Sequence, residues 1–239
     1  MSKTTKEYFN AYAKTYDNLS TGRSEFNERY VIWRSFIDEQ AARFPSGLCM
    51  DLGCGNGFLS VHAASKGFKV TSVDGSSEML SLTKKLAEKE GVVSRMNFVE
   101  SLLPLAKEMQ AQYKERVQLI LMSSVIEYVK DDEGVFQQCA SLLQKGGLFL
   151  ISFPNKASVY RKMEFSLRNT PIYSDSYVRH QVRQYDEQDV RYYANKYGFN
   201  LQKVRYFALP FQRYAKKIFP AHYRPRWAST LFLCVLEKR

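Results

Sequence analysis

Through its middle, this chain of 239 residues alternates short apolar runs with helical patterns. An apolar run bounded by turn signals predicts a strand, and apolar side chains at three- and four-residue steps predict a helix. The predicted strands are 48–52, 68–73, 97–99, 117–122 and 148–153, and the predicted helices are 58–66, 78–89 and 134–143. Strands separated by helices pair in parallel and are covered on both faces. The alternation therefore predicts an α/β fold around a doubly wound, mostly parallel sheet.

The segments before and after this alternation carry helical signals. Residues 1–45 repeat aromatic and aliphatic side chains at helical spacing. After residue 155 the strand pattern stops, and a further helix (187–197) and two strands (200–206 and 230–236) come later. We predict a single domain, 1–239, with four parts: a helical lid (1–45), a cofactor-binding core (46–155), a helical insertion after the fifth strand that covers the substrate (156–186), and a C-terminal helix and strands (187–239).

Composition excludes several classes of protein. A hydrophobic fraction of 45% supplies a core and excludes general disorder. No apolar stretch approaches the roughly 18 residues of a membrane span, and the first residues lack the apolar run of a secretory signal. The four cysteines form no C-x-x-C pair, so we expect reduced thiols in a cytoplasmic protein and no metal site.

Positive charge is concentrated in the last third of the chain. Residues 1–155 hold 18 basic and 18 acidic side chains, whereas residues 156–239 hold 17 basic and 6 acidic ones. The second segment also carries 17 of the 34 aromatic side chains. Such a surface suits an acidic small molecule, a membrane face or nucleic acid, and a basic face that only aids solubility is the alternative.

A glycine-rich loop follows the first predicted strand. Residues 51–57 read Asp-Leu-Gly-Cys-Gly-Asn-Gly and lead into a predicted helix. Glycines permit a tight turn and let a ligand approach the backbone, and the helix start offers free N–H groups. Asp74 ends the next strand, 21 residues after Gly53, where a carboxylate can accept both hydroxyls of a ribose. The dinucleotide fingerprint G-x-G-x-x-G does not fit, because Phe58 stands in place of its third glycine.

With its D-x-G-x-G-x-G loop, the chain resembles the class I S-adenosylmethionine-dependent methyltransferases. Further motifs follow in the order expected for that family. Residues 73–80 are similar to its D-x-S-x-x-M-L, residues 123–129 to its L-E-H-V, and residues 142–147 to the lead into its fifth strand. The resemblance implies a Rossmann-like sheet of seven strands and S-adenosyl-L-methionine as the cofactor.

The resemblance also implies roles for individual residues. Asp51 and the loop 53–57 are expected beside the methionine part of the cofactor, and Asp74 beside the ribose. Either Glu100 or Ser101 is expected to hold the adenine amino group. The full set of expected cofactor contacts is Asp51, Gly53, Cys54, Gly55, Asn56, Gly57, Asp74, Gly75, Met79, Glu100, Ser101, Leu102, Ser123 and Tyr16.

Residues 6–17 resemble the family's lid segment, Y-x-x-x-A-x-x-Y-D. An aromatic ring in such a lid can lie against the positively charged sulfonium of the cofactor. Tyr16 is expected to face the cofactor and Tyr12 the substrate. The alternative is a tyrosine stripe that only packs in the core.

Motifs that accompany several other methyl acceptors are missing. No [DN]-P-P-[FYW] follows the fourth predicted strand, and the chain has neither a Pro-Cys nucleophile nor a paired-glutamate loop. What remains is similar to the small-molecule branch, including ubiquinone-biosynthesis-type O-methyltransferases. We expect His180 to be the catalytic base, with packing of the insertion as its alternative role. The expected substrate contacts are Tyr12, Ser124, Tyr128, Tyr177 and Arg183.

We expect methyl transfer to a hydroxyl or amine of a small, acidic or aromatic molecule. A membrane-surface enzyme acting on a lipid quinone and an RNA methyltransferase are the alternatives, and a binding protein without activity is the last. Both enzyme alternatives use the basic C-terminal segment. The residues of this segment that are expected to contact lipid headgroups or phosphates are Phe211, Tyr214, Ile218, Phe219, Trp227, Arg213, Lys216, Lys217, Arg224 and Arg226.

Overall fold

The computed structural model describes residues 4–22, 24–211 and 223–239, and the side chains of all of these except those within 14–27. Its helices are α1 (Thr5–Gly22), α2 (Ser24–Arg43), α3 (Phe58–Ser65), α4 (Ser77–Lys89), α5 (Lys107–Tyr113), α6 (Asp132–Leu142), α7 (Val159–Leu167) and α8 (Glu187–Lys196). Its strands are β1 (Leu48–Leu52), β2 (Lys69–Asp74), β3 (Met96–Glu100), β4 (Val117–Ser123), β5 (Leu143–Pro154), β6 (Phe199–Phe207) and β7 (Leu231–Lys238). Within these described ranges, no helix has the length and apolar character needed to cross a membrane.

The seven strands form one sheet in the order β3-β2-β1-β4-β5-β7-β6. Neighbours among the first five strands pair in parallel, whereas β7 runs antiparallel to both β5 and β6. The chain therefore has the predicted doubly wound α/β fold with a mostly parallel, seven-stranded sheet. Strand order reverses between β1 and β4, and ligands of such sheets bind at the carboxyl ends of the strands beside that reversal.

The central strands are buried on both faces. In β4, Ile120 and Met122 belong to one hydrophobic cluster, and Leu119 and Leu121 belong to the cluster on the opposite face. Successive side chains of a strand point to opposite faces, so a strand covered by helices on both sides reads as a continuous apolar run. Each such buried side chain contributes roughly 1.5–3 kcal/mol.

Two elements differ from the sequence prediction. Helix α5 was not predicted, because none of its residues is buried and it therefore shows no apolar periodicity. Strand β5 begins at Leu143, before the predicted residue 148, and pairs with β4 both before and after a register shift. Gly146 within this lead has a φ of +74°, which favours glycine, so the pattern of residues 144–147 indicated a turn.

The segment 156–186 contains α7 and two short 3-10 helices, Pro171–Tyr173 and Tyr177–His180. It lies at the same edge of the sheet as the glycine-rich loop. Its last residues are held where the N–H of Val182 donates to the carbonyl oxygen of Glu127 at 2.8 Å. Beyond it, the hydroxyls of Tyr185 and Tyr193 donate to Asp132 Oδ2 at 3.0 and 2.9 Å. These bonds hold the insertion and the start of α8 against the segment that follows β4.

Candidate active site

The glycine-rich loop packs closely against the end of β2 and the segment that follows β4. The N–H groups of Gly53 and Cys54 both donate to the carbonyl oxygen of Val73, at 2.8 and 2.9 Å. Gly53 has a φ of +76°, and a Cβ on it would lie 2.3 Å from Cγ2 of Val125. Only glycine meets both demands, because the left-handed conformation and the close contact each disfavour a side chain.

Asp74 is held in one orientation at the end of β2. Its Oδ2 accepts the N–H of Gly55 at 2.9 Å, and its Oδ1 accepts the N–H of Ser76 at 2.9 Å. Burial raises the pKa of this carboxyl group, while the backbone donors of Gly55, Ser76 and Gly75 lower it. The half-buried carboxylate faces a cavity with its remaining lone pairs.

That cavity, the cofactor cavity, has a volume of about 450 Å³. A carboxylate stands on one wall and apolar side chains stand on another, as suits a ligand with hydroxyl groups and a flat ring. Of the residues expected to contact a cofactor, those that line it are Gly53, Gly55, Asp74, Gly75, Met79, Ser101, Leu102 and Ser123. Further lining residues include Thr5, Lys6, Phe9, Leu103, Val125 and Val129.

Other expected cofactor contacts do not line this cavity. Asp51 is only 1% exposed and lies behind the loop, where it accepts a hydrogen bond from Ser60 Oγ at 2.6 Å. Burial raises the pKa of Asp51 to about 7, the Ser60 hydrogen bond lowers it, and the charge of Asp74 raises it further. The loop residues Cys54, Asn56 and Gly57 are likewise outside the lining. The side chain of Tyr16 lies outside the described residues.

The alternative between Glu100 and Ser101 has a geometric answer. Glu100 points to the lid, where its Oε1 pairs with Nζ of Lys6 at 2.6 Å. Ser101 lines the cofactor cavity, and its N–H donates to the carbonyl oxygen of Asp74 at 3.0 Å. Of this pair, Ser101 is therefore the residue that lines the cofactor cavity.

Helix α1 covers the cofactor cavity. Its first turns supply three lining residues, and the ring of Phe9 meets the ring of Tyr128 edge to face at 5.3 Å. Phe9 was not among the predicted residues, although it belongs to the lid segment. The aromatic residues of one helix are equivalent in sequence, and the packing of the helix decides which of them points into the site.

A second cavity, the acceptor cavity, has a volume of about 240 Å³ and adjoins the first. The two share Phe9, Ser123, Ser124 and Tyr128 in their walls. Four of the five expected substrate contacts line it: Tyr12, Ser124, Tyr128 and Tyr177. Its further residues include Arg29, Glu127, Tyr160, Arg161, Glu164 and Phe211.

Ser124 stands where the two cavities meet and has an unusual backbone. Its φ is +56°, a conformation that costs energy for any residue with a side chain. Two contacts hold it there: its N–H donates to Ser152 Oγ at 3.0 Å, and its own Oγ accepts Nη2 of Arg29 at 2.7 Å. Strain that is maintained by surrounding contacts is common at functional sites.

The charged groups of the acceptor cavity are nearly balanced. Arg161 and Glu164 are 7% and 5% exposed and form an ion pair at 2.7 Å. Glu127 is 2% exposed, and its Oε2 has no hydrogen-bond partner among the described residues. Burial raises the pKa of Glu127 to about 7, although its own backbone N–H and the charges of Arg161 and Arg29 lower it.

The predicted base His180 and the predicted substrate contact Arg183 also line neither cavity. The ring of His180 packs on that of Tyr8 at a centroid distance of 4.7 Å, and burial followed by the charge of Arg179 lowers the pKa of this imidazole. Arg183 bonds Asp132 at 3.0 Å and Asp189 at 3.2 Å. The guanidinium of Arg183 is thus held in ion pairs with two acidic neighbours.

Several basic side chains among the described residues of 156–239 are likewise paired with carboxylates. The pairs are Lys156 with Asp186 and Asp189, Arg183 with Asp132 and Asp189, Arg191 with Glu187, Lys196 with Glu133, and Arg224 with Glu28. The predicted membrane or RNA surface also includes Arg213, Tyr214, Lys216, Lys217, Ile218 and Phe219, which lie outside the described residues.

A family model described as a methyltransferase domain matches residues 26–204, about three quarters of the chain. This range contains the glycine-rich loop, Asp74 and all five parallel strands. The chain belongs to the class I S-adenosylmethionine-dependent methyltransferases. Its strand order and the position of the loop at the carboxyl end of β1 agree with the resemblance seen in the sequence.

Relatives of this methyltransferase act on different acceptors. It is 30% identical over 126 residues to the tRNA 5-carboxymethoxyuridine methyltransferase of Escherichia coli K12, covering 52% of this chain and 47% of that protein. It is 31% identical over 121 residues to the ubiquinone biosynthesis O-methyltransferase of Cronobacter sakazakii, covering 51% and 48%. The chain thus spans about half the length of the curated relatives it matches.

A solved structure resembles the methyltransferase over nearly its whole length. Magnesium protoporphyrin IX methyltransferase from Synechocystis PCC 6803, determined with bound SAH, superposes with a TM-score of 0.64. The match covers 98% of this chain and 97% of that one at 18% identity. This likeness concerns the fold, and it extends through the lid and the insertion as well as the sheet.

Proposed function

We propose that this methyltransferase transfers the methyl group of S-adenosylmethionine to a hydroxyl or amine of a small aromatic molecule. One observation carries the proposal: the cofactor and acceptor cavities meet at a wall formed by Phe9, Ser123, Ser124 and Tyr128. Methyl transfer requires the nucleophile to approach the methyl carbon opposite the sulfur, and holding two reactants in adjoining cavities achieves that alignment.

In this proposal the cofactor lies in the larger cavity. Asp74 accepts the two ribose hydroxyls, because its carboxylate is already oriented by two backbone N–H groups. The apolar side chains of Leu102, Leu103 and Val129 suit the adenine ring. The methionine part extends over Gly53 and Gly55, where the lack of side chains permits close approach. Asp51 lies behind the loop and is bonded to Ser60 of α3.

The contacts of the proposed cofactor site can be tested through Asp74. Asp74→Ala removes the acceptor of both ribose hydroxyls, so calorimetry with S-adenosylhomocysteine should show a loss of about 2–3 kcal/mol. Glu78→Ala, which removes an exposed carboxylate on the following helix, is the matched control and should bind as the parent does. Unchanged affinity in a folded Asp74→Ala protein would mean that the ribose lies elsewhere.

The acceptor cavity favours an aromatic molecule without a net charge. Rings of Tyr12, Tyr160 and Tyr177 face it, and flat side chains stack well on flat ligands. The buried Arg161–Glu164 pair cancels its own charge, so the cavity does not present the excess of positive charge that an acidic molecule needs. Its volume of about 240 Å³ suits one substituted ring. The proposal therefore keeps the aromatic half of the sequence-based expectation and not the acidic half.

A panel of acceptors with radiolabelled S-adenosylmethionine tests the acceptor class. It contains single-ring phenols, aromatic amines, aromatic carboxylic acids, unfractionated tRNA and a quinol in anionic vesicles. We expect label in the uncharged single-ring compounds. Label only in tRNA or only in the vesicle-bound quinol would contradict the proposal and favour one of the two alternatives.

A pair of tyrosine variants links that activity to the acceptor cavity. Tyr160 lines it and its ring contacts Phe211 at 5.6 Å, whereas Tyr192 on α8 is 56% exposed. Tyr160→Ala should raise the KM of the best acceptor roughly 5- to 30-fold, since about 1–2 kcal/mol of ring contact is lost. Tyr192→Ala should leave that KM unchanged. Equal effects of the two variants would place the acceptor outside this cavity.

A further inference from the structure

We infer that the carboxylate of Glu127 is the catalytic base that removes the proton from an acceptor hydroxyl. The inference rests on the proposed function, because it requires the acceptor to occupy the cavity that Glu127 lines. It narrows the acceptor from a hydroxyl or amine to a hydroxyl. It also assigns to Glu127 the role that the sequence suggested for His180.

The position of Glu127 fits such a role. It belongs to a short 3-10 helix, Ile126–Tyr128, that follows Ser123 and Ser124 at the wall shared by the two cavities. Its backbone is fixed, because its carbonyl oxygen accepts the N–H of Val182 from the insertion. A group on a fixed backbone beside the reacting atoms needs little reorganisation during the reaction.

One oxygen of this carboxyl group has an unused capacity for a hydrogen bond. Oε2 of Glu127 is buried and has no partner among the described residues, yet the residue lines the acceptor cavity. Buried polar atoms in folded proteins are nearly always hydrogen-bonded, and an unpaired one carries a cost. A ligand hydroxyl that donates to Oε2 supplies the missing bond.

The surroundings keep this group ready to exchange a proton near neutral pH. The charged groups around it come from α2 and α7: Arg29, Arg161 and Glu164. Arg161 is paired with Glu164, so it offsets only part of the burial that raises the pKa of Glu127 to about 7. In general acid–base catalysis, a base is most effective when its pKa lies near the working pH.

Other candidate bases in this cavity are less suitable. Glu164 already binds Nη1 of Arg161 at 2.7 Å, which keeps its carboxylate oxygen occupied. Burial raises the pKa of Tyr160 to about 12, so its phenol stays protonated at neutral pH. Among the described residues that line the cavity, there is no histidine.

The chemical step balances without another reactant. The acceptor oxygen forms a bond to the methyl carbon while the bond between that carbon and the sulfur breaks, and the electron pair of the broken bond stays on the sulfur. The proton of the hydroxyl passes to Oε2 of Glu127 and afterwards to solvent. The positive charge of the sulfonium is thereby neutralised, and the carboxylate is regenerated for the next turnover.

Glu127→Gln tests the inference with the best phenol of the acceptor panel. The kcat/KM of the parent enzyme should rise with pH through about 7. In the variant this rise should be absent, and kcat should be lower by about 10²–10⁴-fold. Glu108→Gln, an exposed carboxyl group on α5, is the control and should keep both. If Glu127→Gln does not fold, Glu127→Ala with added formate replaces it, because a small acid in the vacated space restores a base and not a packing contact.

A second readout needs neither the cofactor nor turnover. Bound 4-nitrophenol should show a weaker phenolate band in the parent at pH 8 than in Glu127→Gln, because an ionised carboxylate favours the protonated phenol and an amide does not. Identical spectra, or an unchanged pH profile, would overturn the role of Glu127. Methylation of amines alone would overturn it as well, while leaving the proposed function intact. Absence of label from every small molecule would instead refute the proposed function.

Discussion

Burial raises the pKa of three carboxyl groups near the site, those of Asp51, Asp74 and Glu127. Their hydrogen-bond partners differ. Asp51 has a serine hydroxyl as its donor, Asp74 has backbone N–H groups, and one oxygen of Glu127 has no hydrogen-bond partner among the described residues. A buried carboxyl group with a raised pKa destabilises the folded state once it ionises. The pH dependence of stability, compared between the parent and a variant of one of these residues, can therefore report on that residue.

Glu127 should lower the stability of the protein as pH rises. Its pKa is about 7 in the folded state and near 4.5 in the unfolded chain, so its favourable contribution is complete below pH 4.5 and is lost as pH rises through 7. Glu127→Gln removes this dependence. Relative to the parent, the variant should gain about 2–3 kcal/mol in the free energy of unfolding between pH 5 and pH 8.

Urea denaturation at several pH values measures that difference. Asp51 titrates in the same range, but it is present in both proteins and cancels in the comparison. A stability difference between parent and variant that stays constant from pH 5 to pH 8 would show that Glu127 titrates normally and is not desolvated.

At the scale of elements, the glycine-rich loop and the lid determine the shape of the site. Gly53 and Gly91 both have positive φ values, +76° and +69°, but a Cβ on Gly91 meets no atom within 4 Å. Gly91→Ala should therefore cost only the backbone strain of about 1–2 kcal/mol. Gly53→Ala should cost a further 1–3 kcal/mol, because its Cβ collides with Val125.

Chemical denaturation of the two glycine variants separates the collision from the strain. Gly53→Ala should also weaken binding of S-adenosylhomocysteine, since the loop must shift to relieve the contact. Equal destabilisation by the two substitutions would show that the space between the loop and Val125 is not restrictive.

The contact between the lid and the cofactor can be tested by comparing a charged and an uncharged form of the cofactor. Phe9 lies at the wall shared by the two cavities, and the cofactor carries a sulfonium charge that its demethylated product lacks. Phe9→Leu keeps an apolar side chain but removes the π face. In calorimetry, the substitution should weaken the binding of S-adenosylmethionine by about 0.5–2 kcal/mol more than the binding of S-adenosylhomocysteine. An equal loss for both ligands would assign Phe9 to packing alone.

At the scale of the whole molecule, local patterns in the sequence predict the fold better than the site. The alternation of strands and helices predicts the parallel part of the sheet, because each strand is buried by its neighbouring helices. Asp74 and Gly53 are predictable for the same reason: both lie at the carboxyl ends of strands. The short helix α5 could not be predicted, because it is exposed and lacks a hydrophobic face.

The acceptor cavity depends on contacts between residues far apart in the chain. Arg29 bonds Ser124 across 95 positions, and Arg161 on α7 approaches Glu127 from the insertion. No periodicity marks such residues, since their roles follow from how the lid and insertion settle on the sheet. His180 and Arg183 show the converse, because a motif-like run of sequence pointed to residues that line neither cavity.

The order of strands has a consequence for biosynthesis. β7 is translated after both β5 and β6, yet it pairs with β5 on one side and β6 on the other. β6 cannot join the sheet until β7 has been synthesised, because β7 lies between β6 and β5. During that time the apolar edge of β5 has no partner strand. An unpaired apolar edge invites pairing with other chains. The nascent protein is therefore open to such pairing during the interval between synthesis of residues 154 and 238.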